Sequence, residues 1–314
     1  MGSARYGTVR VCVLAVVALL AMAPASRGDG PAGFWLDLYQ GEPAPSDTVL
    51  ADLVGADVVY LGETHTIARH HALQGVVIGA FAEAKVPFCL ALEQMERVYQ
   101  PQLDRYNRGE ADLETTIADT QWEKRWTNIR DYVPLIERAH AAGAPIVALN
   151  ARMEVVRKLG RGGIGSLTAE ERAELPERLR FEDEPYRRLL GLKIGVHSGM
   201  PAERLAPMCD AQIVRDETMA DSLTKFLAGD AGRGRKAVVL AGAGHVSFGL
   251  GLPERVRDRN PEVRDRVVLF TDSGELELSA ADRAMAQSVS ITHDDLHFVP
   301  RPMADYLNVK PPAE

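Results

Sequence analysis

The chain has 314 residues, 46% hydrophobic and 25% charged, which is ordinary for a globular protein and leaves enough apolar material for a large core. Its formal net charge is −8, so its surface repels phosphate backbones and nucleic acid is not an expected partner.

Arg5 and Arg10 precede an apolar run from Val11 to Met22, and the small-residue pattern Ala21-Met22-Ala23-Pro24-Ala25 follows it. This is the layout of a cleaved secretory signal over residues 1–25. The run is too short to cross a bilayer, and no later stretch approaches the roughly 20 apolar residues that spanning requires. Removal of the two arginines takes the charge from −8 to −8 − 2, about −10. The expected product is soluble and periplasmic or secreted. Cys12 lies before the core of the run and no Leu-x-x-Cys box ends it, so a lipid anchor is not expected. Cys89 and Cys209 remain, a pair open to one disulfide in an oxidising compartment. Cys89 lies in the apolar run from Pro87 to Leu92, where a small buried hydrophobe is the plainer reading.

After a lead-in over residues 26–49, short apolar runs alternate with helical periodicity through 50–275. Val58-Val59-Tyr60-Leu61 is the first predicted strand. A helix follows from Ile67 to Lys85, with Leu73, Val76, Val77, Ala80, Phe81 and Ala84 on one stripe. Phe88–Leu92, Pro145–Leu149, Ala237–Leu240 and Arg266–Phe270 are the next four strands. Parallel strands need crossover connections, so the alternation predicts an α/β fold, a mainly parallel sheet flanked by helices. A charged, helix-favouring insert, about residues 152–227, separates the third and fourth strands and is expected to cap one end of the sheet. The cluster from Gly160 to Gly165 has neither a preceding strand nor a P-loop lysine and reads as a flexible loop. In the C-terminal extension, 276–314, His293, Asp294, Asp295 and His297 form a polar cluster open to weak metal binding or to simple solvation.

The residues just after each strand carry the functional reading. The first strand leads into Gly62-Glu63-Thr64-His65, the second into Glu93-Gln94, the third into Asn150-Ala151-Arg152 and the fourth into Gly242-Ala243-Gly244-His245. In a parallel sheet the carboxyl ends of the strands share one edge, where ligands bind. Glycine suits Gly62, Gly242 and Gly244 because the chain must leave a strand sharply there. Two Gly-x-x-His motifs predict that His65 and His245 meet. With Glu63 or Glu93 they would make a two-histidine, one-carboxylate set suited to zinc or another divalent transition metal. Each residue alone also serves as a hydrogen-bonded strand-end group. His70 and His71 lack the i, i+4 spacing to His65 of a zincin helix, and at most one of them is expected to face the pocket.

These residues resemble a known family. Leu61-Gly62-Glu63-Thr64-His65 with His70-His71-Ala72-Leu73-Gln74, Ala91-Leu92-Glu93-Gln94-Met95, Gln100 to Asp104, Trp122, Pro134-Leu135 and Val147 to Asn150 are similar to the ChaN-like haem-binding uptake family. Gln212 to Ala220 and Gly242 to Val246 resemble its second half. The resemblance covers roughly residues 50–270. It also places the chain in the wider Tiki-like superfamily, which includes metal-dependent proteases and erythromycin-esterase-like enzymes.

The resemblance implies reversible haem binding in haem or iron uptake at the bacterial cell envelope, with envelope uptake components as partners and a homodimer admitted. No Cys-x-x-Cys-His site for covalent haem occurs. Residue type makes Tyr60, Tyr99, His65, His70, His71 and His245 candidate iron ligands, Tyr60 being the more core-like of the tyrosines. Glu63, Glu93, Asn150 and Arg152 complete the expected haem site, Arg152 facing a propionate or a neighbouring glutamate. The alternative is a metal-dependent hydrolase, peptidase or esterase. There His65, His245 and a carboxylate hold the ion, and Glu63 or Glu93 is the general base.

Overall fold

The computed structural model describes residues 33–195, 202–271 and 293–310. The segment read as a signal lies outside the described residues, as do 276–292 of the extension. Two short strands, β1 (Phe34–Asp37) and β2 (Glu42–Ala44), pair antiparallel at one edge of the sheet. The remaining strands are β3 (Val58–Glu63), β4 (Phe88–Glu96), β5 (Ile146–Asn150), β6 (Lys236–Gly242), β7 (Asp265–Phe270) and β8 (Tyr306–Val309). They run parallel to one another, and the sheet order is β2-β1-β8-β7-β3-β6-β4-β5. The α/β expectation holds, and β1, β2 and β8 are strands the sequence pattern did not single out. They are three or four residues long, too short for periodicity to register.

Strands β3 and β4 are buried along their whole length, which is why they read as unbroken apolar runs rather than as alternations. On one face, Val59, Leu61, Leu90, Leu92, Val238 and Leu240 pack against helices from the first half of the chain. These are α1 (Ser46–Gly55), α2 (Ala68–Glu83), α3 (Gln100–Asn107), α4 (Leu113–Asp119), α5 (Trp122–Arg125) and α6 (Val133–Ala141). On α2, Leu73, Val77 and Phe81 are buried as predicted, but Ala84 is exposed, because the buried face is centred on His70, Gln74 and Ile78 instead.

The insert forms α7 (Met153–Gly162), α8 (Ala169–Ala173), α9 (Glu184–Leu190) and the 27-residue α10 (Ala202–Ala228). Thr168 and Glu171 close a capping box at α8, and Asp183 caps α9 through Tyr186 N, so polar side chains satisfy the free N–H groups of both helix starts. The first half of α10 packs with α7 and α9. Its second half brings Met219, Ala220 and Leu223 onto the other sheet face with Val58, Tyr60 and Val239. The insert therefore covers a face as well as an end. Gly160–Gly162, expected in a loop, form the last turn of α7, which stops at Gly163 with φ +70°.

After β6 come α11 (Ala243–Val246) and α12 (Leu252–Arg259), and α13 (His293–Leu296) lies near the end of the described chain. His297 is exposed. Cys89 and Cys209 are both free and sit in different clusters, so no disulfide joins them.

The chain leaves β3 for β4 and β5 on one side, then returns through β6 to β7 on the other. That reversal sets the carboxyl ends of β3, β6, β4 and β5 side by side, where a crevice opens.

Candidate functional site

Glu63 ends β3 and its carboxylate is buried among donors. Its Oε1 accepts from His65 Nδ1 (2.9 Å), Gln94 Nε2 (2.8 Å) and the Tyr132 hydroxyl (2.6 Å). Its Oε2 accepts from Gln74 Nε2 (2.7 Å), with His71 Nε2 at 3.4 Å. Burial pushes this carboxyl up, but the hydrogen bond from His65, the nearby His71 imidazole, the charge of His65 and the Tyr132 hydroxyl outweigh it and bring the pKa to about 2.

Glu93 holds the second half of the site. It lies within β4 rather than after it, because the strand continues to Glu96 and its register with β5 shifts between Leu92 and Glu96. That irregularity frees Glu93 from the ladder and aims it at the neighbouring strand tip. Gly242 N donates to its Oε2 (2.6 Å), and Arg215 Nη2 donates to its Oε1 (2.5 Å). His245 Nε2 stands 3.2 Å and His65 Nε2 3.9 Å from that same Oε1. Burial raises the Glu93 pKa, yet the charges of His245 and Arg215 take it well below the usual carboxylate range.

His245 is buried, with Nδ1 2.6 Å from Asp216 Oδ1, whose Oδ2 accepts from the Tyr186 hydroxyl (2.7 Å). Burial lowers its pKa, Glu93 and Asp216 raise it, and the balance is about 9. His65 is pushed down by burial and up by Glu63 and Glu93, with a net rise. Distant tips thus meet as expected: Glu63, His65, Glu93 and His245 share one polar array. Among the described residues, no group of three histidine, cysteine or acidic side chains is arranged to hold a metal ion.

Two glycines make the array possible. A Cβ at Gly242 would come 2.9 Å from His65 Nε2, and one at Gly62 would come 2.4 Å from Leu269 Cδ2. Gly244, by contrast, faces open space, so its place in the motif has no steric reason here.

The other expected residues divide. Asn150 ends β5, donates to Glu93 O (2.9 Å) and accepts from Arg215 Nε (3.3 Å). Of the paired histidines, His71 faces Glu63. His70 is committed elsewhere, accepting from Thr64 N at 3.0 Å and standing 3.3 Å from Thr271 O. Arg152 forms a two-pronged pair with Glu174 (2.7 and 2.6 Å). Tyr60 is fully buried in the sheet core, and Tyr99 lies under the Arg125 guanidinium, 5.0 Å from ring centroid to Cζ.

Beside the array opens a cleft of about 290 Å³. Its lining includes His65, Glu93, Asn150 and Arg215 from the array and the apolar side chains of Met95, Trp122, Trp126, Met153 and Val156, with Glu96 and Arg125. Trp122 Nε1 donates to Gln94 O (2.7 Å), and Trp126 meets the His65 ring edge-on at 4.8 Å. Trp126 Nε1 is buried without a hydrogen-bond partner among the described residues. Arg125 Nη1 grips both oxygens of buried Glu96 (2.7 and 2.9 Å), and its Nη2 reaches exposed Glu154 (3.2 Å). Gln74, Arg125, Trp126, Tyr132, Tyr186, Arg215 and Asp216 went unpredicted as site residues. Arg215 and Asp216 do fall in the Gln212–Ala220 stretch that carries the family resemblance.

Residues 49–256 match the family described as haem-binding uptake, Tiki superfamily, ChaN. Protein RETICULATA-RELATED 5, chloroplastic, of Arabidopsis thaliana is 26% identical over 240 residues, 69% of this chain and 31% of that protein. The chain therefore spans about a third of that relative's length. A solved structure titled "Cofacial heme binding to ChaN of Campylobacter jejuni" superposes with a TM-score of 0.65 at 19% identity, covering 89% of this chain and 97% of that one, a likeness of fold. An erythromycin esterase, EreC, reaches a TM-score of only 0.38 at 14% identity over 71% of this chain and 72% of that one, too distant to bear on the site. With the family match spanning most of its length, the chain belongs to the ChaN haem-binding uptake family of the Tiki superfamily.

Proposed function

We propose that this protein binds haem reversibly in the cleft beside the strand-end array and serves haem or iron uptake as an exported protein of the cell envelope. The observation that carries the reading is the lining itself: partly exposed Trp126, Met153 and Arg125 at the carboxyl edge of the sheet, backed by buried Trp122 and Met95. Haem is a flat apolar ring bearing two carboxylates. Aromatic and thioether side chains suit its faces, and guanidinium groups suit its propionates. At about 290 Å³ the cleft is at the small end of ligand pockets, so it takes one edge of the ring and leaves the rest outside. Export rests on the sequence of residues 1–25. Among the described residues no helix is long and apolar enough to cross a membrane.

Titration of the purified protein with hemin tests this. The expected result is a saturable Soret shift, weakened about twofold to tenfold by Trp126→Ala, the span of a lost aromatic contact. A shift that never saturates rules the reading out.

One observation favours a second reading, hydrolysis. His65 and His245 both turn Nε2 toward one oxygen of Glu93, an arrangement able to pass protons to a bound water. Stoichiometric zinc in the isolated protein together with a chelator-sensitive esterase or peptidase activity would support the metal-dependent form. Absence of both would dismiss it.

A further inference from the structure

We propose that Arg125 reads a carboxylate of the ligand and that Glu154 is the chain's own stand-in for that carboxylate, so that the cleft selects rings carrying a free acid. This rests on the haem-binding reading and names the side chain that recognises the propionates. Among the described residues, Arg125 and Arg215 are the arginines that line the cleft. Arg215 is committed to the buried Glu93 carboxylate and to Asn150. Arg152, which the sequence offers for this role, is paired on two prongs with Glu174 and lies outside the lining.

The Arg125 guanidinium is fixed from two sides. Nη1 donates to both oxygens of Glu96 (2.7 and 2.9 Å), a buried carboxylate that also accepts from Met153 N at the start of α7. The Tyr99 ring lies beneath, its centroid 5.0 Å from Cζ. The remaining prong, Nη2, donates to Glu154 at 3.2 Å, longer than the about 2.7–2.9 Å usual for charge-assisted pairs, and the Glu154 side chain is 52% exposed. A guanidinium held in this way keeps its donors aimed, so a carboxylate that meets them loses little further freedom. Separation from Glu154 costs little because solvent screens that pair, whereas separation from Glu96 would strand a buried charge. An incoming acid therefore exchanges with Glu154 and leaves Glu96 in place. Trp126 follows Arg125 in the chain and Met153 precedes Glu154, so the apolar lining and the prong that reads the acid are carried by the same two segments.

Hemin and hemin dimethyl ester share ring and iron and differ in the two free acids. The full chain is titrated with each in one detergent-containing buffer, followed by the Soret band. Hemin is expected to bind about tenfold more tightly than the ester, the gain of a charged hydrogen bond less the loss of an exposed pair. Glu154→Gln alters an exposed residue and should tighten hemin by about twofold to fivefold while leaving the ester unchanged. Arg125→Gln should bring the two ligands within about twofold of each other. That variant leaves buried Glu96 without its arginine, so circular dichroism must show that it folds; if it does not, Glu154→Gln alone decides. Equal affinity of the unaltered protein for hemin and ester overturns this inference and leaves the haem-binding reading standing. If neither ligand binds, both fall. A preference for hemin that persists in folded Arg125→Gln, or that Glu154→Gln fails to widen, overturns the assignment to this pair.

Discussion

Replacing Glu63 by glutamine keeps its shape and removes its charge, and the structure sets the size of the effect. The carboxyl is held at about 2 against an ordinary value of 4.5. That difference of 2.5 units corresponds to about 3 kcal/mol, at about 1.4 kcal/mol per unit, because the group is buried and little screened. The depressed pKa fixes the sign: the contribution is fully present above pH 4.5 and is lost as pH falls toward 2. Glutamine also turns a donor amide toward Gln74, Gln94 or Tyr132, all of which already donate to this position. Urea unfolding of both proteins at a series of pH values measures the gap. The expected gap is about 3 kcal/mol at pH 7, narrowing by about 1.4 kcal/mol per unit below pH 4.5. A gap that stays the same from pH 7 to pH 3.5 would refute the claim that Glu63 is a charged acceptor held by its donors.

Three further outcomes rest on single contacts. Gly242→Ala places a methyl 2.9 Å from His65 Nε2 and should displace that imidazole at a cost of about 1–3 kcal/mol; unchanged His65 ring signals in NMR spectra would contradict it. His245, raised to about 9 by Glu93 and Asp216, gives stability that is present below pH 6.5 and lost as pH rises through 9. Asp216→Asn should therefore make the fall in melting temperature between those values shallower, and an identical slope in both proteins would count against the assignment. Gln100 and Asn107 bond the outer backbone groups of edge strand β5, at Ala148 N (2.7 Å) and Ile146 N (2.8 Å) among others. Replacing both by alanine should expose that edge and produce self-association in light scattering, whereas a monodisperse double variant would show that the edge is protected in some other way.

The sequence reveals the strand-borne half of the site because parallel topology converts chain order into place. Once the runs at Val58, Phe88, Ile146 and Ala237 are parallel strands, the residues at their carboxyl ends must be neighbours. Helix-borne partners carry no such signal. Gln74 and Tyr132 reach Glu63 from a helix and from the turn before α6; apolar periodicity marks neither, and only Gln74 lies in a stretch that carries the family resemblance. Arg152 illustrates a different limit. It lies two residues beyond Asn150, the last residue of β5, at the position that precedes α7, and from there its side chain pairs with Glu174. Even Glu93 depends on an irregularity in β4 that no pattern of apolar residues announces.

The distribution of burial decides which contacts a ligand can exchange. Separating Glu93 from Arg215, His245 and Gly242 N, or Glu63 from its donors, would strand a buried charge, a loss of about 3–5 kcal/mol. A weakly held ligand cannot drive that. At the rim, Arg125 and Glu154 are partly solvated, and their separation costs about 1 kcal/mol or less. The array therefore acts as a rigid floor that fixes His65, Trp126 and the strand tips, while exchange is confined to the outer pair. Hydrogen exchange on the hemin-free and hemin-loaded protein bears on this division directly. Protection should change around Arg125 and Glu154 and remain constant at Gly242, and new protection appearing at Gly242 on loading would show that the floor itself yields to the ligand.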